Sequence, residues 1–306
     1  MQTILGSGGA IATELAKALT QYTTSIRLVS RHPKKVNETD ELFTADFTDP
    51  AQIERAISGS EIVYVTVGFE YKLDVWQRTW PPFMRAVLDA CSRQHAKLVF
   101  FDNVYMYDIG AIPHMTEESP MRPPSKKGMV RAQIAQMLLD DMKSGKVNAL
   151  IARSADFLSP TNSLCVELVY NNFAKGKKAN WFIDVNHRHN FTYSPDAGIA
   201  TALLGNTPDA YGQIWHLPSD RTPLTGKDWI TLFAKEMGVE PKYSAMPQWL
   251  LTIVGVFVPI LREFKEMTYQ YNRDYFFDSS KFEKRFGMKP TSPAEAVRGV
   301  IRTLKK

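Results

Sequence analysis

Two basic residues, four positions apart, follow a proline-rich loop and open a segment with helical character. Lys127 and Arg131 lie in SKKGMVRAQ, directly after TEESPMRPP. On a helix, residues four apart project from one face, so the two cations would act together. Such a pair is a solvated helix end, a clamp for a phosphate or part of a catalytic site. Arg131 cannot act as a base at accessible pH, whereas Lys127 can donate a proton or hold an anion.

A glycine-rich turn near the start of the chain predicts a dinucleotide site. TILGSGGAIATEL places Gly6, Gly9 and Ala12 three residues apart, after an apolar strand and at the start of a helix. Small residues let the backbone approach a pyrophosphate, and the helix N-terminus favours the anion. The spacing departs from G-x-G-x-x-G, which needs a small residue at Ile11, and a turn without ligand is the alternative. The predicted cofactor contacts in this turn are Gly6, Ser7, Gly9, Ala10 and Ile11.

The second predicted strand ends in LVSRHPKK, with no acidic residue to bind a ribose 2′-hydroxyl. Ser30 and Arg31 stand there instead, which favours the 2′-phosphate of NADP(H) over NAD(H), although NAD(H) binding stays open. An ordinary exposed basic loop is the alternative. After the third strand, Asp46 and Phe47 are expected at the adenine edge, and Val67 after the fourth strand is a further predicted cofactor contact.

The first half of the chain alternates short β-branched runs with helix-length segments, which predicts an α/β fold of the Rossmann type. We expect a doubly wound parallel sheet with a smaller C-terminal substrate-binding lobe. The dinucleotide-binding domain is predicted at 1–160, with later segments around 190–215 returning to it, and the lobe mainly at 161–306. The predicted strands are 2–5, 26–30, 42–45, 61–67, 97–102 and 147–153. The predicted helices span 10–22, 75–94 and 126–142, with another starting at Asp49-Pro50.

Composition narrows the class of protein. The net charge of +5 is spread along 306 residues and no nucleic-acid motif is present, so a nucleic-acid partner is not expected. Cys91 and Cys165 lack metal-ligand spacing, so no metal is expected, and free thiols fit a reducing cytoplasm. The start MQTILGSGG does not resemble a signal peptide.

The uncharged segment 246–261 is shorter than the roughly 20 residues of a membrane span and is expected to be a buried or interface helix, with peripheral membrane contact as the alternative.

Five motifs, the glycine turn among them, resemble the extended or atypical short-chain dehydrogenase/reductases, the NAD-dependent epimerase/dehydratase family. GSGGAIA is similar to its G-x-x-G-x-x-G turn, and VFFDNVYMYD to the strand that ends in Ser-Ser and Val-Tyr-Gly. TEESPMRPPSKKGMVR resembles the loop before the catalytic Tyr-x-x-x-Lys. RSADFLSP is similar to Arg-Pro-x-Asn-Val-Tyr-Gly-Pro, and FTYSPDAGIATALL to a later segment in which an Asp-Ala pair opens a helix.

The resemblance implies a tyrosine that acts as acid or base, a lysine that lowers its pKa and binds the ribose, and a Ser or Thr that orients the substrate. This sequence departs from the motif at all three positions. Asn103 stands at the Ser/Thr position, Lys127 at the tyrosine and Arg131 at the lysine, with Asn103 and Lys127 also facing the cofactor. Tyr105 is an alternative acid, and Tyr107 matches a structural tyrosine.

The resemblance leaves two functions open. One is an NADP(H)-binding oxidoreductase or epimerase-like enzyme for a small polar substrate, and the other is a catalytically silent NADP(H)-binding redox sensor or regulatory protein. Related folds dimerise through helices at 75–94 and 126–142, so a homodimer is also open. Asp156 replaces the motif's Asn, and an ion pair with Arg153 that braces the strand end is expected, with substrate contact as the alternative. The predicted substrate contacts are Phe69, Tyr71, Trp80, Asn162, Trp181 and His189.

Overall fold

The β-branched runs of the chain form short, mostly buried strands. A computed structural model describes residues 1–257 and 259–305. Its strands are β1 (Gln2–Leu5), β2 (Ile26–Ser30), β3 (Glu41–Thr44), β4 (Ile62–Val65), β5 (Lys97–Asp102), β6 (Ala149–Arg153), β7 (Asp156–Leu158), β8 (Ala179–Phe182), β9 (Phe191–Tyr193), β10 (Ile214–His216) and β11 (Tyr243–Met246).

Helices alternate with the strands over the first half of the chain, as the sequence predicts. They are α1 (Ala10–Leu19), α2 (Pro50–Ile57), α3 (Leu73–Gln94), α4 (Lys126–Lys143), α5 (Asn171–Ala174), α6 (Ser194–Gly205), α7 (Gly226–Met237), α8 (Gln248–Phe257), α9 (Pro259–Phe264), α10 (Ser280–Phe286) and α11 (Pro293–Leu304). Asp49 caps α2 by accepting a hydrogen bond from the backbone N–H of Ala51, and Pro50 occupies the first turn.

Seven strands pair in parallel in the order β10-β6-β5-β4-β1-β2-β3. The strand order reverses between β1 and β4, where a doubly wound sheet opens a crevice for a ligand at its carboxyl edge. All six predicted strands are present and their ends differ from the prediction by at most two residues. The α/β, Rossmann-type fold class predicted from the sequence is therefore confirmed.

The chain divides into two compact units, each composed of three segments. The first unit comprises 1–106, 127–154 and 194–217. It contains the seven-stranded sheet and packs α6 directly on α1, since a Cβ added at Gly198 would lie 2.6 Å from the carbonyl carbon of Glu14. The predicted domain boundary at residue 160, with a later return to the first domain, stays a prediction.

The second unit comprises 107–126, 155–193 and 218–306. Two parallel strand pairs, β7 with β9 and β8 with β11, contribute to it. Its core is rich in aromatic side chains, among which Trp181, Phe191, Trp229 and Phe233 are buried. The apolar face of α11 completes this core with Val297 and Val300.

The uncharged segment 246–261 contains α8 and the first residues of α9, and Val258 lies outside the described residues. Within α8, Leu251 is buried while Trp249 and Ile253 are exposed. The side chains at 252 and 254–260 also lie outside the described set, so the predicted burial of the segment as a whole is not decided. Among the described residues, no helix is long and apolar enough to cross a membrane.

Both cysteines are free and buried. Burial raises the pKa of the Cys91 thiol to about 12, and it raises the pKa of the Cys165 thiol well above its usual range. The thiols therefore stay protonated near neutral pH and react slowly.

The close approach at Gly6 generates a stability prediction. We expect Gly6→Ala to lower the free energy of unfolding by about 2 kcal/mol or more, because the new Cβ would meet the backbone of Val67 in a left-handed conformation. Gly8→Ala is the control, since Gly8 also has a positive φ but a Cβ there meets no atom within 4 Å. Urea denaturation of both variants measures the difference, and equal losses would contradict the contact argument.

Candidate active site

The turn after β1 brings backbone unusually close to the end of β4. Gly6 has a φ of +102°, and a Cβ at this position would lie 2.7 Å from both the nitrogen and the Cα of Val67. The N–H groups of Gly6 and Ser7 both donate to the carbonyl of Val29, at 2.9 and 3.0 Å, which fixes the turn against β2. Glycine is thus required where the sheet reverses its strand order.

The start of α1 suits an anion. Gly9 is the N-cap residue, makes no side-chain capping hydrogen bond, and the first turn carries no acidic residue. The first N–H groups of the helix therefore retain the positive end of the dipole, which favours a phosphate. Gly8, with its positive φ, has open space where a Cβ would stand. These features fit the pyrophosphate of a dinucleotide, as the spacing of Gly6 and Gly9 predicts.

The end of β2 supplies the polar groups predicted for the 2′-phosphate. The hydroxyl of Ser7 donates to the hydroxyl of Ser30 at 3.0 Å, which links the glycine turn to the strand end. Arg31 is exposed. The backbone N–H and hydroxyl of Thr48 hold the pKa of the Asp46 carboxyl below its usual range, and the charge of Arg31 adds to this effect. Arg31 and Asp46 therefore lie near each other beside the turn.

An aromatic cluster lies beyond the end of β4, formed by Phe69, Tyr71, Trp76, Trp80 and Tyr105. The rings of Phe69 and Trp80 meet edge to face with centroids 4.8 Å apart, and those of Tyr71 and Trp76 do so at 5.5 Å. Trp76 stacks on Tyr105 with an interplanar angle of 21°. The indole N–H groups of Trp76 and Trp80 are buried and find no acceptor within the described part of the chain. An acceptor oxygen on a ligand would satisfy these donors.

Lys127 and Arg131 both lie on α4, and both are buried rather than solvated. Lys127 is 1% exposed, and its ammonium lies 4.7 Å from the centroid of the Tyr71 ring. Arg131 is 4% exposed, and its guanidinium lies 4.5 Å from a Trp80 ring centroid and 5.0 Å from that of Phe100. The common face predicted from their spacing exists, and it faces the aromatic cluster.

Asp102, at the end of β5, is the acidic partner of Arg131. Its Oδ1 accepts from Nε of Arg131 at 3.0 Å and also from a terminal nitrogen of the same guanidinium. Its Oδ2 accepts from Nε of Arg153 at 3.3 Å. The three side chains form an ion-pair triad in which each member is at least nine-tenths buried. The guanidinium of Arg131 is therefore engaged by protein groups, whereas the sequence assigns it to a ribose or phosphate.

Asn103 follows Asp102 and forms a short turn. Its Oδ1 accepts a hydrogen bond from the backbone N–H of Tyr105 at 3.0 Å, and its own N–H donates to Oδ1 of Asp102 at 2.9 Å. From the sequence alone, the side chain of Asn103 could both donate and accept a hydrogen bond to a substrate. With the carbonyl oxygen already engaged, the amide Nδ2 is the group that can donate to a substrate oxygen.

The substrate contacts predicted in the second unit lie in different environments. Trp181 is buried in the aromatic core, and His189 is 3% exposed. Asn162 lies in an exposed loop with a φ of +55°. The sequence predicts an ion pair between Arg153 and Asp156. In the structure, Arg153 instead binds Asp102, and Asp156 binds His189. No group of three or more potential metal ligands occurs in the described part of the chain.

Three residues that are important in this geometry were not predicted from the sequence: Asp102, Trp76 and Tyr271. Asp102 could have been found as the one charge at the end of the apolar strand KLVFF. Trp76 could have been found from its spacing, since it lies four residues before Trp80 on the same helix face. Tyr271, which donates to Asp156, carries no local signal because the two are 115 residues apart in sequence.

Comparison with known families decides the assignment. The profile of the NAD dependent epimerase/dehydratase family matches residues 3–216, well over half of the chain. The chain belongs to this family. The resemblance stated from the glycine turn and the later motifs is thereby confirmed. The protein is accordingly an oxidoreductase- or epimerase-like enzyme of the type that binds a nicotinamide dinucleotide.

Solved structures share the epimerase/dehydratase fold at low sequence identity. UDP-glucose 4-epimerase from Thermus thermophilus, in complex with NAD, has a TM-score of 0.78 at 16% identity, with 100% of this chain and 99% of that chain covered. A monomeric L-threonine 3-dehydrogenase from a metagenome has a TM-score of 0.81 at 16% identity, with the same coverage. An NADPH-dependent quinone oxidoreductase from Escherichia coli has a TM-score of 0.70 at 15% identity, with 98% and 100% covered. No curated protein sequence matches.

The buried triad generates the second prediction. Asp102→Asn should lower the free energy of unfolding by about 3 kcal/mol or more, because two buried arginines lose their carboxylate. Asp89→Asn is the matched control, since Asp89 pairs with Arg85 and Lys146 where solvent reaches the pair and should cost about 1 kcal/mol or less. Chemical denaturation compares the variants, and equal losses would show that the triad adds nothing beyond a surface pair.

Proposed function

We propose that the protein is an NADP(H)-dependent oxidoreductase or epimerase-like enzyme that acts on a small polar substrate. The observation that carries the cofactor proposal is the link between Ser7 in the glycine turn and Ser30 at the end of β2, with Arg31 as the next residue. A turn that suits a pyrophosphate is thus joined to a strand end with hydroxyl and guanidinium donors. Those donors match a 2′-phosphate better than a 2′-hydroxyl.

The remaining predicted cofactor contacts support this proposal by their location in the first unit. Gly9, Ala10 and Ile11 form the end of the turn and the first residues of α1, and Val67 is the backbone that Gly6 approaches. Phe47 packs against Phe83, with ring centroids 5.4 Å apart. Neighbours in the fold use either cofactor, since the Thermus thermophilus epimerase is in complex with NAD and the Escherichia coli quinone oxidoreductase is NADPH-dependent. The side chain at position 31 therefore decides the preference in our proposal.

Three polar groups would perform the chemistry in the absence of the usual tyrosine. When bound, the nicotinamide accepts or donates a hydride. Asn103 orients a substrate carbonyl or hydroxyl through its Nδ2, and Lys127 donates a proton or holds an anion above Tyr71. Tyr105 is an alternative acid beside Trp76. Arg131 acts as a positioning residue in this scheme, because Asp102 already binds its guanidinium.

The ion pair between Arg131 and Asp102 also favours a second candidate function. If both cations of α4 serve only to pack the aromatic cluster, the protein binds NADP(H) without turning over a substrate and acts as a redox sensor or regulatory protein. The cation–π contact of Arg131 with Trp80 and its buried ion pair with Asp102 are consistent with a structural role. Turnover measurements separate the two functions, whereas cofactor binding does not.

The cofactor preference is tested by fluorescence titration with NADPH and NADH. We expect tighter binding of NADPH, and Arg31→Ala should weaken it by about tenfold while leaving NADH affinity unchanged, because only the 2′-phosphate contact is lost. Lys34→Ala is the control, since this exposed lysine lies three residues further along the same basic loop. Tighter binding of NADH by the wild-type protein would contradict the preference, and binding of neither would overturn the proposed function.

The catalytic proposal is tested by hydride transfer to a panel of small carbonyl compounds. Once a substrate is found, Lys127→Ala and Asn103→Ala should each lower kcat by about a hundredfold, because each removes a donor to the reacting oxygen. Lys126→Ala is the matched control, since the neighbouring lysine is exposed. Unchanged kcat in both site variants would exclude these roles, and NADPH binding without turnover of any carbonyl would favour the sensor.

A further inference from the structure

A histidine in the second unit is held between two tyrosine rings. The His189 ring stacks on Tyr271, with centroids 4.7 Å apart and planes at 19°, and on Tyr275 at 4.3 Å and 11°. The backbone fixes His189 as well, since its N–H donates to the carbonyl of Leu224 and its carbonyl accepts from the indole of Trp229. At 3% exposure, His189 has no open face for a ligand.

This histidine orients a carboxylate that does reach solvent. Nε2 of His189 lies 3.0 Å from Oδ2 of Asp156, and the hydroxyl of Tyr271 donates to the same oxygen at 3.0 Å. The backbone N–H of Asp156 donates to the hydroxyl of Tyr275 at 3.2 Å. The Asp156 side chain keeps 19% of its surface exposed. Two buried donors therefore fix one oxygen of a carboxylate that is not itself fully buried.

The second oxygen of this carboxylate is available for a ligand. Within the described part of the chain, Oδ1 of Asp156 makes no hydrogen bond, whereas Oδ2 makes two. An ionised carboxylate only accepts hydrogen bonds, and it accepts them most strongly from cations.

We propose that Oδ1 of Asp156 is a ligand-binding group that receives a hydroxyl or ammonium donor of the substrate and rejects a phosphate or carboxylate at the same point. His189 and Tyr271 are positioning residues that hold the acceptor in place. The substrate class is accordingly a neutral polyol or an amino alcohol, with no anionic group at this point. Only the identification of this ligand as the substrate rests on the function proposed above; the donor site itself does not.

The test uses three probes with one carbon skeleton: glycerol, serinol (2-amino-1,3-propanediol) and glycerol 3-phosphate. The full-length protein is labelled with ¹⁵N at its histidines, of which there are six, and His189→Gln assigns the ring signal. Because Nε2 of His189 shares the carboxylate with the probe, a donor at Oδ1 should shift that signal. We expect saturable shifts with serinol and weaker ones with glycerol, and no shift with glycerol 3-phosphate.

Asp156→Asn should weaken serinol binding by about tenfold and abolish its advantage over glycerol, because the charge that favours an ammonium is lost. Tyr271→Phe keeps that charge but removes one of the two donors that hold Oδ2, so serinol should bind more weakly while remaining preferred over glycerol, a pattern that general unfolding would not produce. Glu240→Gln is the control, since Glu240 is exposed and pairs with Lys242. For the Asp156→Asn variant, saturation-transfer NMR on the signals of serinol and glycerol gives the dissociation constants of these probes. Near-ultraviolet circular dichroism verifies that the variant is folded.

Three results would overturn the proposal: no shift with any probe, equal binding of glycerol 3-phosphate, or an unchanged serinol preference in Asp156→Asn. The NMR measurement needs no dinucleotide. Failure of NADPH binding would therefore contradict the proposed function without contradicting the binding site at Asp156. Conversely, hydride transfer to a phosphorylated substrate with no effect of Asp156→Asn would refute the donor site while supporting the enzyme.

Discussion

Asp102 is the constraint on which the first unit depends. It lies at the end of β5, and the parallel register places it directly beside Arg153 of β6. From the other side it binds Arg131 of α4. One buried carboxylate thus ties two strand ends to a helix at the edge of the sheet where ligands bind. Removing Asp102 would leave two buried guanidinium groups without their carboxylate.

This constraint changes how the predicted departures from the family motif are understood. Arg131, which the sequence predicts at the position of the family's usual lysine, stacks its guanidinium on Trp80 and Phe100 and pairs with Asp102. The ammonium of Lys127 likewise lies over the ring of Tyr71. The cations of α4 and the aromatic residues around α3 therefore form one packed arrangement. Asn103 retains a donor next to this arrangement because its turn engages only its oxygen.

The fold could be predicted from the sequence because its signals are local. A run such as KLVFFD specifies a buried strand, and Gly6 before α1 specifies a turn with a positive φ. The partners of the charged residues could not be predicted, because they depend on strand order. Arg153 lies three residues from Asp156 in sequence, yet it binds Asp102 on the neighbouring strand. The stacked rings around His189 come from segments more than 80 residues apart, so no local pattern could connect them.

The two buried thiols have a consequence for the regulatory alternative. A sensor that responds to oxidants directly needs an accessible thiolate, and both sulfur atoms here are enclosed and protonated. Peroxide or a disulfide would find no accessible cysteine on the native fold. A response to the ratio of reduced to oxidised dinucleotide would not need one. The same inertness makes the chain suitable for attaching a single spectroscopic label at an introduced surface cysteine.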